Sequence, residues 1–436
     1  MGIRFSPAIL ALALPANCIV AAVIGTSTPA EGITPGRIAA LPPAEQDAWR
    51  EYLARSVQQE QTDRAILQAE LKQTGLQTAL IPPGGNSAKS LPLDKPREWY
   101  DTADARRVAD IVVSFQTPAG GWSKNLDFAD HIRKQGESFA PNNLSAHLSP
   151  GDFDTPRDPQ WNYVGTLDND ATTTELHFLA LVAARGLDAE IYRGAILRGL
   201  EYLLAAQFPN GGWPQVWPLE GGYHDAITFN DGAVTETLDL LQDVAEGKGG
   251  FEFVPDTMRK QALTSLNKGI QVIVRTQIGG KVEPNVTVWA QQHDAFTLKP
   301  VAGRNYEPAA KCSSESAAMI LFLMKLRQPT PSVIEAVYSA VDWLRATAIY
   351  GVAFERGADG RRRVPVPGAG PLWSRYYEIG TDRPIFGDRD KSFHDDVNEL
   401  SAERRNGYSW YNAAPKAALD RFAEWSVSHS RPKDKL

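Results

Sequence analysis

Only two cysteines occur in the 436 residues, Cys18 and Cys312. A disulfide framework and a cysteine-based zinc site are therefore excluded, and stability must come from packing. The seven histidines show no HExxH spacing, and neither a G-x-S-x-G motif nor a glycine-rich phosphate loop is present. Readings as zinc hydrolase, serine hydrolase or nucleotide enzyme are accordingly weak. His224 and His293, each followed by Asp, read instead as polar structural residues in tight loops. A basic excess is also missing: 45 Lys and Arg stand against 52 Asp and Glu, a formal charge of -7. That balance argues against a nucleic-acid partner, whose capture needs a basic face. A polyanionic ligand stays open, because a local arginine cluster or a bound cation reverses the sign at one cleft. Beyond the N-terminus no apolar run approaches bilayer length, so no stable membrane association is expected.

What is there begins with "MGIRFSPAILALALPANCIVAAVIGTSTPAEG", one early arginine followed by an apolar run and small residues. Pro15 and Asn17 interrupt the run, so residues 1–30 read as a cleavable export signal and the protein as secreted, with an uncleaved anchor as the alternative. Residues 31–97 read as a helical extension and linker. Trp49, Leu53, Ile66 and Leu71 recur among charges at helical spacing, and "IPPGGNSAKSLPLDKP" has linker composition. The main domain is expected over residues 98–436.

Within it, helical patterning recurs over roughly 102–116, 170–184, 188–207, 231–245, 255–277, 313–326, 332–347 and 412–425. Three helices end alike, in "SFQTPAGGWSKNLDF", "AAQFPNGGWPQVWPL" and "RTQIGGKVEPNVTVW". Each has a glutamine, a Gly-Gly pair and an apolar or aromatic continuation. Helix pairs that share a terminal loop stack on their neighbours to bury a common core. The expected fold is all-α, an incomplete α/α toroid of about three helical hairpins with long loops and minor β structure. An open bundle or solenoid is the alternative. The loop tryptophans Trp122 and Trp213 share a repeat position and read as seals on helix ends; Trp213, Trp217 and Tyr223 also offer planes for stacking on sugar rings.

Polar density gathers elsewhere. "GTLDNDATTTEL" places Asp168 and Asn169 before a helix, and "FND" places Asn230 and Asp231 before another. Each residue alone reads as a helix cap. Together the two starts could supply oxygen ligands for calcium, although no EF-hand loop is present. Arg304, Arg375, Arg383 and Arg389 lie beside Tyr306, Tyr376 and Tyr377 in loops. Guanidinium forks grip carboxylates, so the cluster suits an acidic polymer. Surface ion pairs with Glu307, Glu378, Asp382 and Asp388 are the plainer alternative.

The combination "GGWSKN", "TLDNDATTTEL", "NGGWPQVWP", "YHDAITFND", "QQHDAFTLKP", "GRNYEP" and "SRYYEI", in that order from about residue 120 to 411, resembles the pectate lyases of polysaccharide lyase family 10. The resemblance implies an α/α toroid and endo-type cleavage of polygalacturonate by β-elimination with calcium (Ca2+). On matching positions it makes Arg304 the catalytic base, Asp231 a calcium ligand and Asn169 a second, with Asp168 beside them. Lys124, Arg375 and Arg389 are expected on substrate carboxylates, and Tyr306 is counted with the substrate-binding residues. "GGWSKN" departs from the family pattern in having Ser123 where many relatives have proline. An inverting glycoside hydrolase using Asp168 and Asp231, or a non-catalytic uronate-binding protein, are the competing readings. A monomer is expected.

Overall fold

A computed structural model describes residues 22–85, 91–185, 189–279 and 286–432. Its helices are α1 (Pro35–Ala39), α2 (Pro43–Thr74), α3 (Ala103–Ser114), α4 (Thr173–Ala183), α5 (Ala189–Ala206), α6 (Ala233–Glu246), α7 (Asp256–Arg275), α8 (Ser313–Lys325), α9 (Pro331–Ala346), α10 (Ala402–Asn406) and α11 (Ala414–Trp425). Its strands are β1 (Gly25–Thr26), β2 (Ile227–Thr228), β3 (Gln292–His293), β4 (Lys311–Cys312), β5 (Val352–Gly357), β6 (Gly360–Pro365), β7 (Trp373–Ser374), β8 (Tyr376–Tyr377), β9 (Pro384–Gly387), β10 (Ser392–His394) and β11 (Tyr411–Asn412).

Local chemistry sets several of the helix ends. Thr102 caps α3 by accepting from the Ala105 N–H, and Thr330 caps α9 in the same way ahead of Pro331. Gly247 ends α6 in the left-handed conformation at φ 62°. The helices pack in sequential pairs, α4 with α5, α6 with α7 and α8 with α9. Across the pairs α4, α6 and α8 are neighbours in one layer, while α5, α7 and α9 are neighbours in another. Leu176, Leu203, Leu238, Val272, Ile320 and Val337 fill the single large core between the layers.

The repeated loops are clasps. Gln116 donates to the carbonyls of Gly120 and Ala195, Gln207 to those of Gly211 and Ser265, and Gln277 to those of Thr287 and Ala336. Each glutamine thus ties its own loop to the helix after next, Gln116 to α5, Gln207 to α7 and Gln277 to α9. The loop tryptophans are fully buried, with Nε1 donating back to a carbonyl of the preceding helix: Trp122 to Val112, Trp213 to Leu203 and Trp289 to Ile273. Trp373 repeats the bond to Leu344 after α9. These rings seal helix ends, and Trp217 and Tyr223 are buried too, so none of the three candidate stacking planes lies open. Gly211, at φ 103°, approaches so closely that a Cβ would lie 2.6 Å from the Lys268 carbonyl oxygen.

The all-α expectation is overturned. The chain is 44% helical and 11% strand, and a sheet of order β1-β10-β9-β8-β4 joins the N-terminal strand to the C-terminal third. A β5–β6 hairpin and two further two-stranded ribbons, β2–β3 and β7–β11, stand beside it. The expected incomplete α/α toroid is likewise not what the structure shows; the helices form two packed layers with β structure at their loop end. Strands were hard to read because most are two to four residues long, below the length at which alternation is visible. In the β5–β6 hairpin, "RRRVPVPGAGP" carries loop composition although its first half is paired.

Of the stretch expected to be an export signal, residues 1–21 lie outside the described residues. Gly25 and Thr26 pair with Phe393 and Ser392. The α2 helix packs directly on the main core through Trp49 and Tyr52, and the Tyr52 hydroxyl donates to the Ala206 carbonyl at 2.9 Å. No helix among the described residues is long and apolar enough to cross a membrane.

Candidate active site

The N-termini of α4, α6 and α8 come together, and the residues just before or inside their first turns converge there. Unpaired N–H groups and aligned peptide dipoles at three helix starts favour negative charge. Ahead of α4, Asn169, Asp170 and Thr172 all have positive φ, and ahead of α6 so does Asp231 at 48°. Non-glycine residues reach this region at a cost, and such outliers gather at functional sites.

Lys124 reaches Asp168 at 2.6 Å and sits 3.4 Å from the centre of the Tyr163 ring. Burial would raise the Asp168 carboxyl, but the Lys124 ammonium outweighs it and holds the group below its ordinary value. Asn230 donates to Asp168 at 3.3 Å and to Asp231 at 2.8 Å, and accepts from Gln291 and from Arg375 at 3.3 Å. Asp231 is an exposed residue, yet desolvation first and the neighbouring Asp168 carboxylate next push its carboxyl up to about 6. Arg375 is anchored on the buried Glu315 at 2.5 Å. Its ring neighbours are Tyr376 and Tyr408, whose hydroxyls bond each other at 2.6 Å.

Arg304 completes the site, sharing one polar cavity of about 70 Å³ with Lys124, Asp168, Asn169, Asn230 and Asp231. Its guanidinium pairs with buried Glu307 at 2.6 Å. Burial alone would lower the Arg304 pKa, but the Glu307 carboxylate outweighs burial and keeps it well above the guanidinium value. Glu307 in turn is pulled down to about 2 despite its burial, chiefly by Arg304.

Two of the expected residues are placed differently. Arg389 is paired with Glu403 at 2.7 Å. Tyr306 is buried with the guanidiniums of Arg304, Arg389 and Arg404 at 5.1, 5.3 and 4.1 Å from its ring centre. Arg383 pairs with Glu378 and Asp395. Sequence reasoning missed Asn230 as a hub, Gln291, Glu315 and Tyr163, and it counted Glu307 only as a surface partner. Proximity to a recognised motif was the available signal for Glu307, three residues after Arg304.

No group of three or more His, Cys, Asp or Glu with metal-holding geometry occurs among the described residues. The oxygen donors near the helix starts are the carboxylates of Asp168 and Asp231 and the amide oxygen of Asn169, since the Asn230 oxygen already accepts from Gln291 and Arg375. Hard oxygen donors of this kind fit calcium when water and ligand oxygens complete the shell. They do not fit a soft metal.

Lys124, Arg304 and Arg375 thus stand with Asp168 and Asp231 at converging helix starts, and the chain is a polysaccharide lyase. Residues 116–419 match the family model for pectic acid lyase, so the chain belongs to that family and is a pectate lyase. The family 10 polysaccharide lyase from Cellvibrio cellulosa is similar at 31% identity and TM-score 0.63, covering 78% of this chain and 97% of its own. A mutant of that lyase in complex with trigalacturonic acid is similar at 30% identity and TM-score 0.63, covering 78% of this chain and 99% of its own. No curated protein matches the sequence.

Proposed function

We propose that this pectate lyase cleaves polygalacturonate by calcium-dependent β-elimination in the cleft between Lys124, Asp231, Arg304 and Arg375. The observation that carries the reading is that Lys124–Asp168 and Asn230–Asp231, from two different helix starts, share one cavity with Arg304. The bound trigalacturonic acid of the similar lyase supports the substrate class.

Elimination removes the proton at C5, breaks the C4–O bond and leaves a C4=C5 double bond, while the departing oxygen takes a proton. Bound calcium would neutralise the C6 carboxylate next to C5 and so acidify that proton. Asp231 and Asn169 would hold the ion. Lys124 and Arg375 are placed to bind uronate carboxylates and to stabilise the negative charge that builds on them. Arg304 is the base in this reading. Because Glu307 keeps it protonated, the reaction is favoured where pH is alkaline, and an alkaline optimum is expected. Asp168 positions Lys124, Arg389 is the further substrate-binding residue of this reading, and buried Tyr306 supports Arg304 and Arg389 from behind. Residues 98–436 are the catalytic domain on this reading, and the segment ahead of Ile24 directs export, the signal stopping short of residue 30 because Gly25 and Thr26 are paired in the sheet.

The test is absorbance of unsaturated product from polygalacturonate, with calcium or with chelator, for the native protein and Arg304→Ala. Signal from the native protein that chelator abolishes, and that Arg304→Ala lowers by about two orders of magnitude or more, supports the reading. An Arg304→Ala protein with native turnover would remove Arg304 as the base.

A further inference from the structure

Residues 22–115 lie ahead of the family match at 116–419, and the similar lyases cover 78% of this chain. The start of this segment touches two elements that lead to the cleft, the sheet that carries β8 and the β2–β3 ribbon. Ile24 and Ser27 donate to the Phe393 and Lys391 carbonyls at 2.8 Å, making β1 an edge of the sheet whose β8 strand follows Arg375. A few residues on, the Ile33 N–H donates to Asp225 Oδ2 at 2.9 Å, and the Gly221 N–H donates to Oδ1 of the same carboxylate at 2.8 Å. Gly32 is pressed so close that a Cβ would lie 2.9 Å from both Asp225 Oδ2 and the Gly222 nitrogen.

Arg37 makes the second attachment. It donates to the Glu31 and Gly32 carbonyls at 2.9 and 3.0 Å, pairs with Asp294 at 2.5 Å and lies over Phe296. Asp225 and Asp294 stand at the same end of the β2–β3 ribbon, in which Ile227 pairs with His293 and Thr228 with Gln292. At the ribbon's other end Phe229 bonds Gln291, and Asn230 and Asp231 follow at once. A two-stranded ribbon this short has little stiffness of its own.

We propose that residues 24–37 form a strap that fixes the β2–β3 ribbon, with Arg37 and Asp225 acting as positioning residues for Asp231 and Gln291. The inference rests on the reading of Asp231 as a calcium ligand. Neither positioning residue touches substrate; each acts through the ribbon. Loosening the strap lets the Asn230–Asp231 turn wander, which weakens capture of ion and substrate more than turnover once both are bound.

The experiment compares native protein with Arg37→Ala, Arg37→Lys and Asp225→Asn, and with Arg431→Ala, whose pairs with Glu335 and Asp342 lie on α9. Rates are read against calcium and polygalacturonate concentration, with Tm alongside. The expected result is a rise of about threefold or more in KM or half-saturating calcium for Arg37→Ala and Asp225→Asn, with partial recovery in Arg37→Lys. Arg431→Ala lowers Tm without moving either constant. If Arg37→Ala lowers Tm while both constants stay within about twofold of native, the strap is structural only and the proposal is overturned. A native rate indifferent to calcium would sink the ligand reading of Asp231, and KM alone would then decide the strap. Should Asp225→Asn fail to fold, Arg37→Ala carries the decision.

Discussion

Glu307 holds Arg304 at three points, accepting from Nη2 at 2.6 Å, from Nε at 3.1 Å and from its backbone N–H at 2.9 Å. Tyr408 donates to the same carboxylate at 2.9 Å. One acid therefore fixes both where the guanidinium lies and how firmly it keeps its proton. Glu307→Gln separates the two effects. Orientation is weakened, and kcat/KM at the optimum falls roughly tenfold to a hundredfold. The deprotonated form becomes easier to reach, so the alkaline rise of the pH–rate profile moves to lower pH. Initial rates between pH 6 and 11 check both; a profile that only scales down, without moving, contradicts the link.

Lys124→Met leaves Asp168 as a buried carboxylate without its cation. Breaking such a pair from one side costs about 3–5 kcal/mol, while neutralising both sides costs far less. Urea melts of Lys124→Met and of Lys124→Met with Asp168→Asn should show the loss and its recovery. Activity should stay about two to three orders of magnitude down in both, because the uronate contact is missing in each.

Glu175 is fully buried in α4, and burial pushes its carboxyl up to about 8 from 4.5. Its folded pKa is raised, so its contribution to stability is complete below pH 4.5 and is lost as pH rises through 8. The loss is about 1.4 kcal/mol per pH unit across that window. Glu220, also near 8, adds a parallel loss. Glu175→Gln removes its own slope. Tm should fall less between pH 5 and 8.5 in the variant than in the native protein, and equal falls would refute the assignment.

Trp213→Phe tests the sealing role of the loop tryptophans. The change deletes the Nε1 bond to the Leu203 carbonyl at 2.9 Å and leaves a small void. A cost of about 1–3 kcal/mol is expected, with KM for polygalacturonate unchanged. A raised KM at native stability would make the ring a sugar platform after all.

The parts of the fold that span many residues were legible. All eight expected main-domain helices are present, because each carries ten or more residues of helical patterning. The Gln and Gly-Gly repeat correctly announced one shared loop design. The sheet was not legible, since pairing between residues as distant as Thr26 and Ser392 leaves no local trace. In the cleft, Asp168, Asn169, Asp231, Lys124, Arg304 and Arg375 could be named because they sit in dense motifs. Asn230 and Glu315 could not be told from ordinary caps and helix-start acids, as their importance lies in which distant side chains they meet. Arg389 and Tyr306 carry the right chemistry, yet their partners here are Glu403 and neighbouring arginines, which the chain order does not disclose.

The tryptophan clasp separates scaffold from cargo. Its indole returns to the preceding helix across 10 residues at Trp122 and Trp213, 16 at Trp289 and 29 at Trp373. The anchoring bond is the same in every case, so the length of chain it closes off is free to vary. Segments inserted inside a clasp, such as the β5–β6 hairpin ahead of Trp373, load new surface onto the rim without disturbing helix packing. Grafting between relatives should therefore cut at the residue just after the helix and at the tryptophan, treating each loop as an exchangeable cassette.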